Sequence, residues 1–163
     1  MGTGAGGVVI DNSSPIKVLS LNELPARIQR GFEAAKVASS YSDGPLKRER
    51  MGAAIFAGSR LLSIGFNQYY KSRPDNKFIK VVNNKLVEYR KATHAEQCAL
   101  DKIKYSPNYV NKKLILYIYR EGADGMPSAS APCELCQSII KRSDISIVRF
   151  FTVSGAYKEW KVT

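Results

Sequence analysis

Two short segments hold the residue types best suited to chemistry, Thr93-His94-Ala95-Glu96 and Ala131-Pro132-Cys133-Glu134-Leu135-Cys136. His94 is the only histidine in a chain of 163 residues, so any imidazole ligand must be His94. Cys133 and Cys136 are three apart and share one face if the segment is helical. At a helix N-terminus the dipole and the free amides favour thiolates. One imidazole and two thiolates make one three-ligand set, hence one zinc per chain, with the fourth tetrahedral position left to water. Zinc lowers the pKa of that water enough to supply hydroxide near neutral pH. Glu96, two residues beyond His94, is placed to take the water proton and return it to a substrate. The chemistry these residues favour is metal-assisted hydrolysis.

Blander readings compete with this one. A C-x-x-C pair can be a redox couple, but a thioredoxin-type pair comes early, after the first strand, and this one comes before the last. Cys98, four residues after His94, could face the same way and close the site into an inert structural one. More often such a cysteine is a small buried hydrophobe. A structural site has no use for a carboxylate two residues after its ligand, whereas catalysis does. Three cysteines, two of them close together, do not make a disulfide framework.

The elements that must position these residues follow from periodicity. Apolar Leu24, Ile28, Phe32, Ala35 and Ala38 recur at threes and fours and predict a helix over 24–41, with Pro25 in its first turn. Two apolar runs, 51–57 and 61–66, flank Gly58-Ser59-Arg60 and read as a hairpin. Residues 93–103 read as a helix with Thr93 as N-cap and Glu96 three residues on. Residues 114–120 predict a strand, 121–131 a Gly-, Ser- and Pro-rich loop, 133–141 a helix opened by Pro132, 145–153 a strand and 155–163 a short tail. Each motif therefore opens a helix, and a strand separates the two. Residues 1–20 are expected to form an irregular arm with a short strand at 16–19, and 21–163 the catalytic domain. Strands alternating with helices imply an α/β fold, a mixed sheet covered by helices.

Between Asn67 and the His94 motif lies a stretch without clear period. It carries Lys71, Arg73, Lys77, Lys80, Lys85, Arg90 and Lys91 against Asp75 and Glu88. We read it as a long basic excursion with a short strand at 78–82; connections of this length usually have a function. Tyr69, Tyr70, Phe78 and Tyr89 interleave with the basic residues, for stacking or for the core. The net charge of +11 favours polyanions or phosphorylated small molecules. No apolar run is long enough to cross a bilayer, and no signal peptide or myristoylation motif is visible, which predicts a soluble, cytoplasmic protein without membrane contact.

The pair H-x-E and P-C-x-x-C, in this order and at this interval, resembles the cytidine and deoxycytidylate deaminase superfamily. The resemblance runs from the first helix to the last strand. It implies a cytidine deaminase-like α/β/α fold with a single mixed five-stranded sheet. It also implies that the backbone amide of Ala95 binds a ring carbonyl and that the carbonyl of Ala131 accepts from the reacting amine. Asn67, in Gly65-Phe66-Asn67, matches the asparagine that contacts the sugar in the deoxycytidylate, tRNA adenosine and polynucleotide branches. Free cytidine deaminases usually have Cys-Ala-Glu at the first motif, and His94 argues against that branch. Two loops depart from the family pattern, the basic excursion and the long segment 120–131, and these are the loops where substrate is chosen. The substrate expected is a cytosine nucleotide such as dCMP. The other readings are single-stranded DNA or RNA, with adenine as a further base, and a non-catalytic zinc-stabilised nucleic-acid-binding module. A homo-oligomer is compatible with each.

Overall fold

The computed structural model describes residues 16–69, 77–90, 93–104 and 112–162. Along the chain these form α1 (Ala26–Ser39), β1 (Met51–Ala57), β2 (Arg60–Phe66), β3 (Lys77–Val82), β4 (Lys85–Arg90), α2 (Ala95–Ile103), β5 (Leu114–Arg120), α3 (Glu134–Lys141), β6 (Ile145–Phe151) and β7 (Tyr157–Lys161). Five strands make a mixed sheet in the order β2-β1-β5-β6-β7. Only β5 and β6 are parallel, as the helical crossover through α3 requires. The expected α/β/α fold with a mixed five-stranded sheet is therefore present.

Both faces of the sheet are covered, which explains why β1 and β5 are almost wholly buried. On one face Phe32 and Ala35 of α1 pack with Ala54, Phe56, Ile115, Tyr117 and Phe151. On the other, Ala95, Ala99 and Ile103 of α2 and Ile140 of α3 pack with Ile55, Leu116, Ile118 and Val148. Two glycines allow the close approach. A Cβ on Gly52 would strike the α1 backbone at Ala35, and one on Gly65 would strike the α2 backbone at Ala95 and Ala99. The helices thus lie directly on β1 and β2, and the N-terminus of α2 is held at the end of β2.

Several expectations need correction. No strand forms at 16–19; Val18 instead donates its amide to Gly155 O at 2.9 Å and is buried in the core. The tail contains a strand, β7, because Trp160 enters the core and Glu159 sits across from the buried Arg149, whose Nε donates to it at 2.8 Å. The basic excursion is not a loop with one strand but a separate hairpin, β3 with β4. Asn83 and Asn84, at φ 50 and 63, form its two-residue turn, a conformation asparagine tolerates better than most residues. Lys71, Arg73, Tyr70 and Lys91 lie outside the described residues. Helix α2 starts one residue later than expected: His94, not Thr93, is its N-cap. Thr93 instead forms an isolated bridge with Gln68, at 2.9 and 3.1 Å.

Candidate active site

The carboxyl ends of β2, β5 and β6 lie along one edge of the sheet, and the two motifs meet there. In α/β sheets, sites form outside the carboxyl ends of the strands. His94 is the N-cap of α2 and Cys133 the N-cap of α3, so both motifs present first-turn groups to the same place. The amide of His94 donates to Gln97 Oε1 at 3.0 Å. Gln97 thus performs the capping expected of Glu96 and leaves the Glu96 carboxylate uncommitted to the cap. Sequence reasoning missed Gln97, although its position three residues after the cap is the usual one.

His94 Nδ1 lies 3.1 Å from Cys136 Sγ and 3.6 Å from Cys133 Sγ. The three ligand atoms all fall within 4.8 Å of one another. Tetrahedral zinc with Zn–S near 2.3 Å and Zn–N near 2.05 Å separates N and S ligands by about 3.6 Å and two sulfurs by about 3.8 Å. The set fits one zinc ion with only small adjustment. Among the described residues Cys98 does not join this group.

The electrostatics agree with a ligand pair. Cys133 has its thiol pKa lowered to about 3, first by a hydrogen bond from Cys136 and then by one from His94. Cys136 is pushed the other way, first by its hydrogen bond to Cys133 and then by burial. The more exposed sulfur, Cys133, is the readier to ionise, and a bound zinc ion would need both as thiolates. Glu96 is 3% exposed, and burial raises its pKa above the ordinary carboxylate value against the opposing effects of a backbone hydrogen bond and His94. A carboxyl group poised to hold or release a proton beside a metal-ligand cluster suits acid–base work.

The remaining expected residues line the same edge. Ala95 is buried at the first position of α2, where the amide has no intrahelical partner; backbone bonding of the helix begins with Cys98 N to His94 O at 3.0 Å. Ala131 is partly buried, and no described residue donates to its carbonyl. Its neighbours are heavily committed: Arg120 Nε donates to Ala129 O at 2.8 Å and Gln137 Nε2 to Pro132 O at 3.0 Å. Asn67 is also partly committed. Its Oδ1 accepts from Met51 N at 2.9 Å and its Nδ2 donates to Glu49 O at 2.7 Å. That ties the segment before β1 to the end of β2. Tyr69 reinforces the tie by donating its hydroxyl to Glu49 O at 3.1 Å. Arg120 and Tyr69 carry no sequence pattern that could have revealed these roles.

Comparison with known proteins agrees with this geometry. The family model described as the cytidine and deoxycytidylate deaminase zinc-binding region matches residues 25–152. No curated protein matches closely enough to count as a relative. Among solved structures, a cytidine deaminase from Burkholderia pseudomallei is similar at a TM-score of 0.55 and 18% identity, covering 82% of this chain and 91% of that one. A cytidine deaminase from Mycobacterium leprae is similar at a TM-score of 0.51 and 16% identity, covering 83% of this chain and 94% of the other. At these identities the likeness concerns the fold, whereas the family match spans most of the chain and includes both motifs. The chain belongs to the cytidine and deoxycytidylate deaminase family, whose members are zinc-dependent hydrolytic enzymes.

Proposed function

We propose that this enzyme deaminates cytosine in a nucleotide, with dCMP as the first substrate, and that His94, Cys133 and Cys136 hold its zinc while Glu96 moves the protons. The observation that carries this reading is the convergence of Nδ1 and the two Sγ atoms within 4.8 Å, with the buried Glu96 beside them. Bound zinc supplies Lewis acidity that makes water a nucleophile near neutral pH. Glu96 takes a proton from that water and places it on ring N3 as the new C4–O bond forms. Glu96 then carries the proton of the new C4 hydroxyl to the amine, so that the C4–N4 bond breaks as C4=O forms and water and cytosine become uracil and ammonia. The amide of Ala95 holds the ring carbonyl, and the unpartnered carbonyl of Ala131 accepts from the amine. Asn67 contacts the sugar.

Two features support a phosphorylated substrate. The net charge is +11, and the β3–β4 hairpin lies in the chain between Gln68 and Thr93, which form a bridge beside Asn67 and His94. The same hairpin, with Lys77, Lys80, Lys85 and Arg90 in its strands, also favours a second reading in which the target base belongs to a single strand of DNA or RNA. Among the described residues no helix is long and apolar enough to cross a membrane. A thiolate pair that must stay reduced to hold metal suits the cytoplasm. Ammonia release measured over cytidine, dCMP, single-stranded DNA, RNA and adenosine tests the reading. Efficient turnover of dCMP supports it. Turnover of a strand with none on dCMP transfers the assignment to polynucleotides, and release from adenosine alone removes cytosine from it.

A further inference from the structure

Parallel pairing of β5 with β6 runs only as far as Tyr117 and Arg149. Beyond that point one residue stands between the two strands. Ser130 donates its hydroxyl to Ile118 O of β5 at 2.8 Å, and the same hydroxyl accepts from Phe151 N of β6 at 2.9 Å. Its backbone amide donates to Phe151 O at 2.9 Å. Ser130 is 1% exposed, so these bonds are made away from water, where an unmade partner is costly. One side chain thus replaces the ladder bonds the strands would otherwise exchange and holds their carboxyl ends apart. The next residue is Ala131, and Cys133 follows three residues after the wedge. Arg120 holds the preceding carbonyl, of Ala129, from the other side.

We propose that Ser130 is a positioning residue of this enzyme: wedged between β5 and β6, it sets the place of the Ala131 carbonyl and of Cys133 relative to His94 and Glu96. The hydroxyl matters because it satisfies a donor and an acceptor on different strands at once. Alanine satisfies neither, so the strands move toward direct pairing and the Pro132–Cys133 turn moves with them. The proposal rests on the zinc-site reading above, and its main test needs no turnover.

The experiment follows transfer of zinc from the loaded protein to a chromogenic chelator, for wild type, Ser130→Ala and Ser63→Ala. Ser63 is a similarly buried serine on β2, donating to Ala99 O at 2.8 Å, so it controls for loss of a buried hydroxyl as such. We expect release about tenfold faster or more in Ser130→Ala, the range for residues that support metal ligands from behind. Ser63→Ala should lose thermal stability yet release zinc as wild type does. Equal release rates in the two variants overturn the proposal. If Ser130→Ala does not fold, Ser130→Thr and Ser130→Val separate the hydroxyl from volume: zinc held by threonine and released by valine supports the proposal, and equal release overturns it. Absence of ammonia release by wild type on every cytosine substrate would count against the function while leaving the zinc comparison for Ser130 intact.

Discussion

Replacing Glu96 by glutamine separates proton transfer from metal binding. The side chain is buried and belongs to the first turn of α2, and glutamine fills nearly the same volume, so packing survives. The cap survives too, because Gln97 and not Glu96 accepts from the amide of His94. Zinc should remain at one per chain, since its proposed ligands are His94, Cys133 and Cys136. What disappears is a group that accepts a proton from water and donates one to the base. A positioned acid or base is worth about 10²–10⁴-fold. In the proposed mechanism Glu96 serves both the ring nitrogen and the leaving amine, so the loss should exceed about 10²-fold and approach the upper end of that range. At 1.36 kcal/mol per factor of ten, this is about 3–5 kcal/mol of transition-state stabilisation. The pH profile gives a second readout. Burial raises the Glu96 pKa, so the carboxylate that accepts the water proton is lost as pH falls while still above the ordinary carboxylate value. Wild-type kcat/KM should show that acid limb, and residual activity of Glu96→Gln should lack it. Ammonia release, elemental analysis and circular dichroism suffice. Activity within tenfold of wild type, with zinc and fold retained, would falsify the proposed role of Glu96. Loss of zinc in the variant would make the carboxylate a ligand or its support instead.

Cys98→Ala should keep zinc at one per chain, because Cys98 stands outside the ligand cluster; elemental analysis showing the metal gone would establish a closed, structural site. Glu121 is buried, which by itself raises its pKa, but Lys47 and Lys36 together hold it below the ordinary carboxylate value. Such a group stabilises the fold above its unfolded pKa and loses that contribution as pH falls through the lowered folded value. Thermal melts from pH 6 down to pH 3 should therefore show a steeper loss of Tm in wild type than in Glu121→Gln, and parallel curves would remove the ion pairs from the account. Substrate binding should weaken only slightly with salt if one phosphate is held, whereas a bound single strand gives a slope near ~0.7 per phosphate contact. Replacing Lys77, Lys80 and Lys85 together should lower affinity and salt slope in concert only in the strand case, which titration of a labelled oligonucleotide decides.

The candidate site was legible in the linear sequence because its grouping depends on local spacing. His94 and Glu96 are two residues apart, Cys133 and Cys136 three, and each pair opens a helix whose own backbone sets their relative direction. Apolar patterning likewise located α1, β1, β2, β5 and α3 to within two residues, α1 by its one buried face and β1 and β5 as short apolar runs buried on both faces. Where expectation failed, the deciding contact was distant in sequence. Strand β7 has only five residues, with charged and apolar types mixed, and it is defined by the demand of Arg149 for Glu159 and by the place the core offers Trp160. Strand β4 needed its partner β3, and its strongest local mark was the Asn83-Asn84 turn between the two runs. The N-cap of α2 moved to His94 because Thr93 was drawn into a bridge with Gln68. Asn67 could be assigned to the edge of the site from the sequence, but its two bonds to the 49–51 backbone depend on how β1 lies beside β2. Ser130 is the extreme case. It looks like any loop serine until β5 and β6, brought together by the crossover through α3, leave Ile118 and Phe151 with backbone groups that only an inserted hydroxyl and amide satisfy. Sequence specified which atoms could bind metal and move protons, because bonds and helical turns hold them at short range. Only the folded sheet decided how those atoms are held against one another, because that depends on unpaired backbone groups from strands far apart in the chain.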